Sequence, residues 1–310
     1  MESPHIPVLL NEVLAAFSNL SDDFSGVILD CTLGYGGHSG AILRAFPNVR
    51  IIACDRDETA VEFCRAKFAG EERIRIIRGS FSNLISNLSA DELASVRGIL
   101  ADIGVSSLQL DLSERGFSLN SDELDMRMDK RQSLSATDVV NTYSHGELAK
   151  IFREYGELKN ASVLASKILA AREIAPIKSA RALADIIGRA KVGGRGVNQA
   201  ILAFQAIRIE VNRELGELED LLAAVKNSAL KNAIFCVIDF HSLEDKIVKN
   251  AFREWEKDCV CPPGVLKCVC GGGHATGRMI TKKPIVPSEA EIAANSRSSC
   301  AKMRIFRIER

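Results

Sequence analysis

Three aspartates close short apolar runs, each beside a turn that could seat a ligand: Asp30 after Val27-Ile28-Leu29, Asp55 after Ile51-Ile52-Ala53-Cys54, and Asp102 after Ile99-Leu100-Ala101. Asp30 opens the stretch Asp30-Cys31-Thr32-Leu33-Gly34-Tyr35-Gly36-Gly37-His38, which reads as strand end, glycine turn and helix start. Glycine lets a backbone turn sharply and approach a ligand, and the amides of a helix N-terminus point at it. Asp55 lies close to where a ribose-binding acid belongs. The pattern predicts a nucleoside-cofactor site. Two details favour S-adenosylmethionine over NAD. A dinucleotide fingerprint needs a third glycine three residues after Gly36, where this chain has Ser39. Asp30 would repel a pyrophosphate, whereas it suits the ammonium of a methionine moiety.

Asp102 is followed by Ile103-Gly104-Val105-Ser106-Ser107. At the tip of a parallel strand it could contact the cofactor, or hold an amine whose lone pair turns toward an electrophilic methyl group. The alternative, a cap on the following turn, is less favoured because three strand tips in succession end in Asp. His241 follows the apolar run Ala233–Ile238 and is a second catalytic candidate near the base, while Ser242-Leu243-Glu244-Asp245 has the form of a helix capping box. Cys259-Val260-Cys261 and Cys268-Val269-Cys270, six residues apart, could form a small zinc knuckle, although one-residue gaps are tighter than usual. Methyl transfer from a sulfonium needs no Lewis acid, so no metal is assigned to the site. Cys31, Cys54, Cys64 and Cys236 fall in strand or helix patterns and are expected in the core.

These residues need a scaffold, and 310 residues suffice for one large domain or two. The chain is 46% hydrophobic and 26% charged, as in soluble globular proteins. No run approaches a membrane span, no signal peptide is evident, and nine scattered cysteines do not suit a secreted disulfide framework. A reduced, cytoplasmic protein is expected. Net charge is zero, but seven basic residues lie between Lys178 and Arg213, and Arg297, Lys302, Arg304, Arg307 and Arg310 crowd the C-terminus. Such clusters could meet a phosphate backbone.

The element pattern is strand-helix alternation over the first hundred residues, with a third strand at Arg73–Arg78 and a fourth at Gly98–Gly104. From Ser135 to Arg213 the periodicity is helical, with no convincing strand, and the Gly193-Gly194-Arg195-Gly196 stretch reads as a basic loop. Alternation then resumes, and Gly277–Ile285 with Arg304–Ile308 could pair as the last strands. The fold expected is α/β, an open parallel sheet carrying an inserted all-helical domain. The boundaries predicted are 1–112 and 214–310 for the sheet domain and 113–213 for the insert.

Several longer motifs are distinctive: His5–Glu12, the Gly34–His38 turn, Asp102–Ser107, Arg115-Gly116-Phe117, Leu124–Met128, Phe204–Asn212, Phe240–Asp245 and Ser296-Arg297-Ser298. Together they resemble the bacterial 16S ribosomal RNA cytosine-N4 methyltransferase family, MraW or RsmH, from about His5 to the C-terminus. The resemblance implies a class I, Rossmann-like S-adenosylmethionine-dependent methyltransferase sheet interrupted by a helical insert. It implies methylation of the exocyclic amine of a decoding-centre cytosine in the small ribosomal subunit. It also implies cofactor contacts at Gly36, Gly37, His38, Asp55, Phe81, Asp102 and Gln109. One departure from other amino-methyltransferases stands out: Asp102-Ile103-Gly104-Val105 replaces their Asp- or Asn-Pro-Pro-aromatic tetrad, so the group stacking on the base must come from elsewhere. The rival readings are an NAD-linked oxidoreductase, a methyltransferase acting on another RNA or a protein, and a non-catalytic RNA-binding factor. The residues leave the oligomeric state open, a homodimer included.

Overall fold

The computed structural model describes residues 7–18, 25–192, 196–265 and 267–310. The motif residues His5 and Ile6, and Gly193 to Arg195 of the basic loop, lie outside them. The chain divides into two compact units, residues 1–104 with 216–310 and residues 105–215. The expected boundaries fell after 112 and 213; the units part after Gly104 and Leu215.

In chain order the strands are β1 (Gly26–Asp30), β2 (Val49–Asp55), β3 (Ile74–Arg78), β4 (Val96–Asp102), β5 (Lys191–Val192), β6 (Val197–Asn198), β7 (Ala233–Asp239), β8 (Gly277–Met279) and β9 (Lys302–Ile308). Seven form the sheet of the first unit in the order β3-β2-β1-β4-β7-β9-β8. The first five run parallel, and β9 lies antiparallel to both β7 and β8. Central parallel strands are covered on both faces, which is why they read as unbroken apolar runs. Alternate residues serve opposite cores. Val27, Leu29, Ala233, Phe235 and Val237 pack with Leu218, Leu221, Val248, Phe252 and Trp255 on one face. Ile28, Ile234, Cys236 and Ile238 pack with Phe17, Ile42 and Cys64 on the other. The indole of Trp255 stacks on Phe235 with centroids 6.4 Å apart and meets Phe306 edge-on at 5.4 Å. Cys31, Cys54, Cys64 and Cys236 are buried, as expected.

Of the two last strands expected, the first is shorter and the second, which begins at Lys302, is longer. Only Gly277–Met279 pairs continuously with β9, and Ile285 returns as a single bridge to Met303.

The second unit has one apolar core. It joins Phe117, Leu124 and Met126 to the inner faces of the helices Ala136–Thr142, His145–Glu154, Ala161–Ile174, Ala180–Ile187 and Gln199–Asn212. Ser135 and Ser144 begin their helices with reciprocal capping boxes to Asp138 and Glu147. Where no strand was expected, the two-residue pair β5–β6 forms an antiparallel ladder on either side of the glycine loop. So short a pairing lacks the alternation by which a strand is recognised.

Candidate active site

Four adjoining parallel strands, β2-β1-β4-β7 in sheet order, end in an acid: Asp55 on β2, Asp30 on β1, Asp102 on β4 and Asp239 on β7. The chain leaving β1 is stapled to both neighbours. Cys31 N–H donates to Leu100 O at 2.8 Å, Leu33 N–H to Cys54 O at 2.9 Å, and Asp102 N–H to Thr32 Oγ1 at 2.7 Å. Gly34 N–H donates to Asp55 Oδ2 at 2.8 Å, while Asp57 N–H takes Oδ1 at 2.8 Å. Lys67, which the sequence reading overlooked, donates from Nζ to Tyr35 O at 2.8 Å and Gly36 O at 3.0 Å. The turn is thus held from three sides before any ligand arrives.

Gly36 has φ 66° and ψ 33°, a left-handed conformation at the cap of the helix Gly37–Ala45. A Cβ on Gly36 would lie 2.5 Å from Phe68 Cε2, and one on Gly37 would lie 2.6 Å from Pro7 Cγ. Both glycines are therefore demanded by the chain's own packing, whatever else approaches them.

Asp30 is enclosed. It is 1% exposed; Ser39 Oγ donates to its Oδ2 at 2.6 Å and Thr32 N–H to its Oδ1 at 3.2 Å. Burial, only partly offset by these bonds, pushes its pKa up to about 6. Both oxygens of Asp30, expected to face an ammonium, accept bonds from the turn itself. Ser39, where a dinucleotide fingerprint would have glycine, is the residue that locks it.

Asp102 differs. Its side chain is 20% exposed, and Oδ1 has no hydrogen-bond partner. Oδ2 lies 3.7 Å from Nδ1 of the buried His38. The other nitrogen of His38, Nε2, is 3.0 Å from Val8 O. A carbonyl only accepts, so Nε2 bears the proton and, in neutral imidazole, Nδ1 turns a lone pair toward Asp102. Desolvation, then repulsion from Asp30 and Glu244, raises Asp102 to about 8. Asp239, absent from the sequence-based candidates, is fully buried with neither oxygen partnered, and desolvation raises it also to about 8.

His241 is the N-cap of the helix Ser242–Trp255: its Nδ1 accepts from Glu244 N–H at 3.4 Å, and Glu244 Oε2 accepts from His241 N–H at 3.3 Å. The capping box expected at Ser242 therefore begins one residue earlier. His241 Nε2 is 3.2 Å from Glu244 Oε1, without hydrogen-bond alignment. Asp245 pairs with Arg304 at 2.7 Å and Lys302 at 3.3 Å.

Phe81, half-buried in the 3-10 turn after β3, has the Arg56 guanidinium 5.7 Å from its ring centroid. Glu217 ties that corner together, pairing with Arg56 at 3.4 Å and accepting from Ser80 Oγ. Gln109 belongs to the other unit: it is buried in the helix Ser107–Asp111, where its Oε1 accepts from Ser106 N–H at 3.0 Å.

The basic C-terminus does not form a free tail. Arg304 is buried on Asp245 within β9, and Arg310 donates to the carbonyls of Val225, Lys226 and Leu230. Arg304 and Arg310 are thus engaged within the chain, while Arg297 is exposed. In the insert, Lys178, Arg181 and Lys191 remain exposed, Arg181 pairing with Asp122 at 3.2 Å.

Raised carboxyl pKa values have a consequence for stability. Asp102 and Asp239 stay protonated in the folded chain at pH values where the unfolded chain has released those protons. Their contribution is complete below about pH 4 and declines as pH rises through about 8. The melting temperature of the ligand-free chain is therefore expected to fall from about pH 5 to about pH 8. A scan that is flat or rising would contradict these protonation states.

A sheet of this order, with its last strand pair antiparallel, a glycine turn after β1 and acids at adjoining tips, defines a class I S-adenosylmethionine-dependent methyltransferase. The buried, unpartnered Oδ1 of Asp102 suits a group that brings positive charge or N–H donors. The model of the MraW methylase family matches residues 2–309, and the chain belongs to that family. Among curated proteins it is 58% identical to the ribosomal RNA small subunit methyltransferase H of Campylobacter fetus subsp. fetus (strain 82-40), covering 100% of this chain and 99% of that one. Identity is also 58% to the protein of that name from Campylobacter curvus (strain 525.92), again over 100% and 99% of the two chains. Among the described residues, no helix is long and apolar enough to cross a membrane.

Proposed function

We propose that this chain transfers the methyl group of S-adenosylmethionine to the N4 amine of a decoding-centre cytosine in 16S ribosomal RNA, presented on the small subunit. The relatives' names support ribosomal RNA of the small subunit as the substrate class. The observation that carries the chemistry is Asp102, the one carboxylate of the β1–β2–β4 tips with an oxygen left unbonded.

S-adenosylmethionine supplies an electrophilic methyl group on a sulfonium. In the proposal its contacts fall on Gly36, Gly37, His38, Asp55, Phe81, Asp102 and Gln109. The apolar ring of Phe81 suits the adenine, and Asp55 suits the ribose hydroxyls. A cytosine amine is a weak nucleophile because its lone pair is delocalised into the ring. A carboxylate accepting one N–H turns the lone pair out of conjugation and stabilises the positive charge that grows on nitrogen. With a positively charged cofactor beside it Asp102 would ionise, fill that role and then accept the displaced proton, for which a raised pKa suits it. His38 Nδ1, 3.7 Å from Oδ2, is placed to accept a hydrogen bond from Asp102 once that carboxyl holds the proton. His241 enters the same proposal across the β4–β7 pair as a group beside the base; its Nδ1 is committed to the cap and its buried Nε2 faces Glu244 Oε1 at 3.2 Å. Exposed Lys178, Arg181 and Lys191 would hold RNA by its phosphates. The target base must leave its stack to reach the site.

Mass spectrometry of ribosomal RNA nucleosides tests this reading. Small subunits from cells lacking the protein, incubated with chain and S-adenosylmethionine, should gain one N4-methylcytidine. Methylation of another base or atom, or none, overturns it.

A further inference from the structure

Between the helix Ser242–Trp255 and β8 the chain makes an excursion that none of its described residues anchors in a core. From Glu256 to Thr276 no described side chain is buried, and Val260, Val265 and Val269 are 50%, 44% and 78% exposed. Its base is closed by Thr276 N–H donating to Trp255 O at 2.8 Å and Gly273 N–H to Asp258 Oδ1 at 2.8 Å. A segment without apolar burial needs another source of order.

Four sulfurs converge there. Cys259 Sγ lies 3.6 Å from both Cys268 Sγ and Cys270 Sγ; Cys268 Sγ is 3.5 Å from Cys270 Sγ and 4.0 Å from Cys261 Sγ. All four fall within 4.8 Å of one another. Four thiolates about 2.3 Å from a single tetrahedral ion stand about 3.8 Å apart, close to the spacing seen. No two sulfurs are singled out as a pair, as two disulfides would require. Val269 N–H donates to Cys261 Sγ at 3.2 Å, a bond that stabilises thiolate charge. Gly271, Gly272 and Gly273 have φ of 82°, 71° and 72°, and this left-handed run carries the chain from Cys270 back to Asp258. His274 turns its Nε2 to Cys270 O at 3.1 Å, so the donor set is four sulfurs without an imidazole.

We infer that Cys259, Cys261, Cys268 and Cys270 bind one zinc ion that orders the excursion from Glu256 to Thr276. A tetrahedral all-sulfur set selects zinc among common ions, and four protein ligands leave no open position for catalysis. The one-residue gaps that weakened this reading from spacing alone are accommodated because each pair converges with the other.

The test uses the full chain purified without chelator. Elemental analysis should find about one zinc per chain, and exchange into cobalt should give the intense visible absorption of a tetrahedral thiolate site. The double variant Cys268→Ser, Cys270→Ser should lose both signals while keeping the far-ultraviolet dichroism of the parent. Zinc should slow tryptic cleavage at Lys257 and Lys267 on the order of tenfold or more in the parent and not in the variant. Metal far below one per chain after zinc supplementation overturns the proposal. So does zinc retained by the variant, a weak octahedral cobalt spectrum, or iron at equal stoichiometry in place of zinc.

Discussion

Asp102→Asn is expected to lower methyl transfer to small-subunit RNA on the order of 10²–10³-fold while leaving a chain that melts above the parent at pH 8. The two effects have one origin. The carboxylate is held where water cannot compensate its charge, with Oδ1 unbonded and Asp30 and Glu244 repelling it. An amide is neutral, so the folded chain no longer faces that penalty. The amide cannot take a proton, however, and binds a developing cation poorly. Stability and activity thus move in opposite directions, as at other sites held under strain for function. Measured by labelled methyl incorporation beside thermal scans at pH 6 and 8, near-normal turnover would remove Asp102 from the chemistry. A variant that loses both activity and fold would make Asp102 a purely structural residue.

Gly36→Val should produce the largest loss of stability, about 2–5 kcal/mol in denaturant unfolding. A β-branched residue at φ 66° is strained by about 1–2 kcal/mol, and overpacking adds about 1–3. The new side chain would begin 2.5 Å from Phe68 Cε2 and 3.1 Å from Cys64 Sγ, neither of which lies at the end of a long flexible chain. The damage should spread to the cofactor. Lys67 holds the carbonyls of Tyr35 and Gly36, and Gly34 N–H holds Asp55, so displacing the turn moves the acid as well. Calorimetric titration should show S-adenosylmethionine affinity falling at least about tenfold even where the variant remains folded. Parent-like binding by a destabilised chain would show that the turn supports the fold and not the ligand.

How far the site could be read from residues depended on the range of the contacts involved. Strand ends are local: an apolar run followed by Asp and a glycine turn carries its own signal, and Asp30, Asp55 and Asp102 were all visible. Which of them stays open was not. That Ser39 closes Asp30, and that Asp57 and Gly34 occupy Asp55, follows from a turn folding back across two strands. Lys67 and Glu217 act on the turn and on Arg56 through contacts distant in sequence, and neither sits in a motif. The His241 cap was misplaced by one residue because Ser is the commoner cap and stood next to it. Asp239 was hidden because a buried, unpaired carboxyl is rare enough that a strand-ending acid is first taken for a solvated one. The burial of Arg304 was not legible because a charge count ignores that alternate residues of a strand can turn inward.

β7 pairs with β4 in parallel, yet 130 residues (103 to 232) separate the two strands. During translation at about 5–20 residues per second, the lateral edge of β4 waits roughly 6–26 seconds for its neighbour. Through that interval the backbone of Gly98-Ile99-Leu100-Ala101 offers an unzipped ladder to any nascent chain nearby. Slower elongation across the insert would lengthen that exposure. The yield of active protein should then depend on synthesis speed and on holdase chaperones more than the finished molecule's stability would suggest.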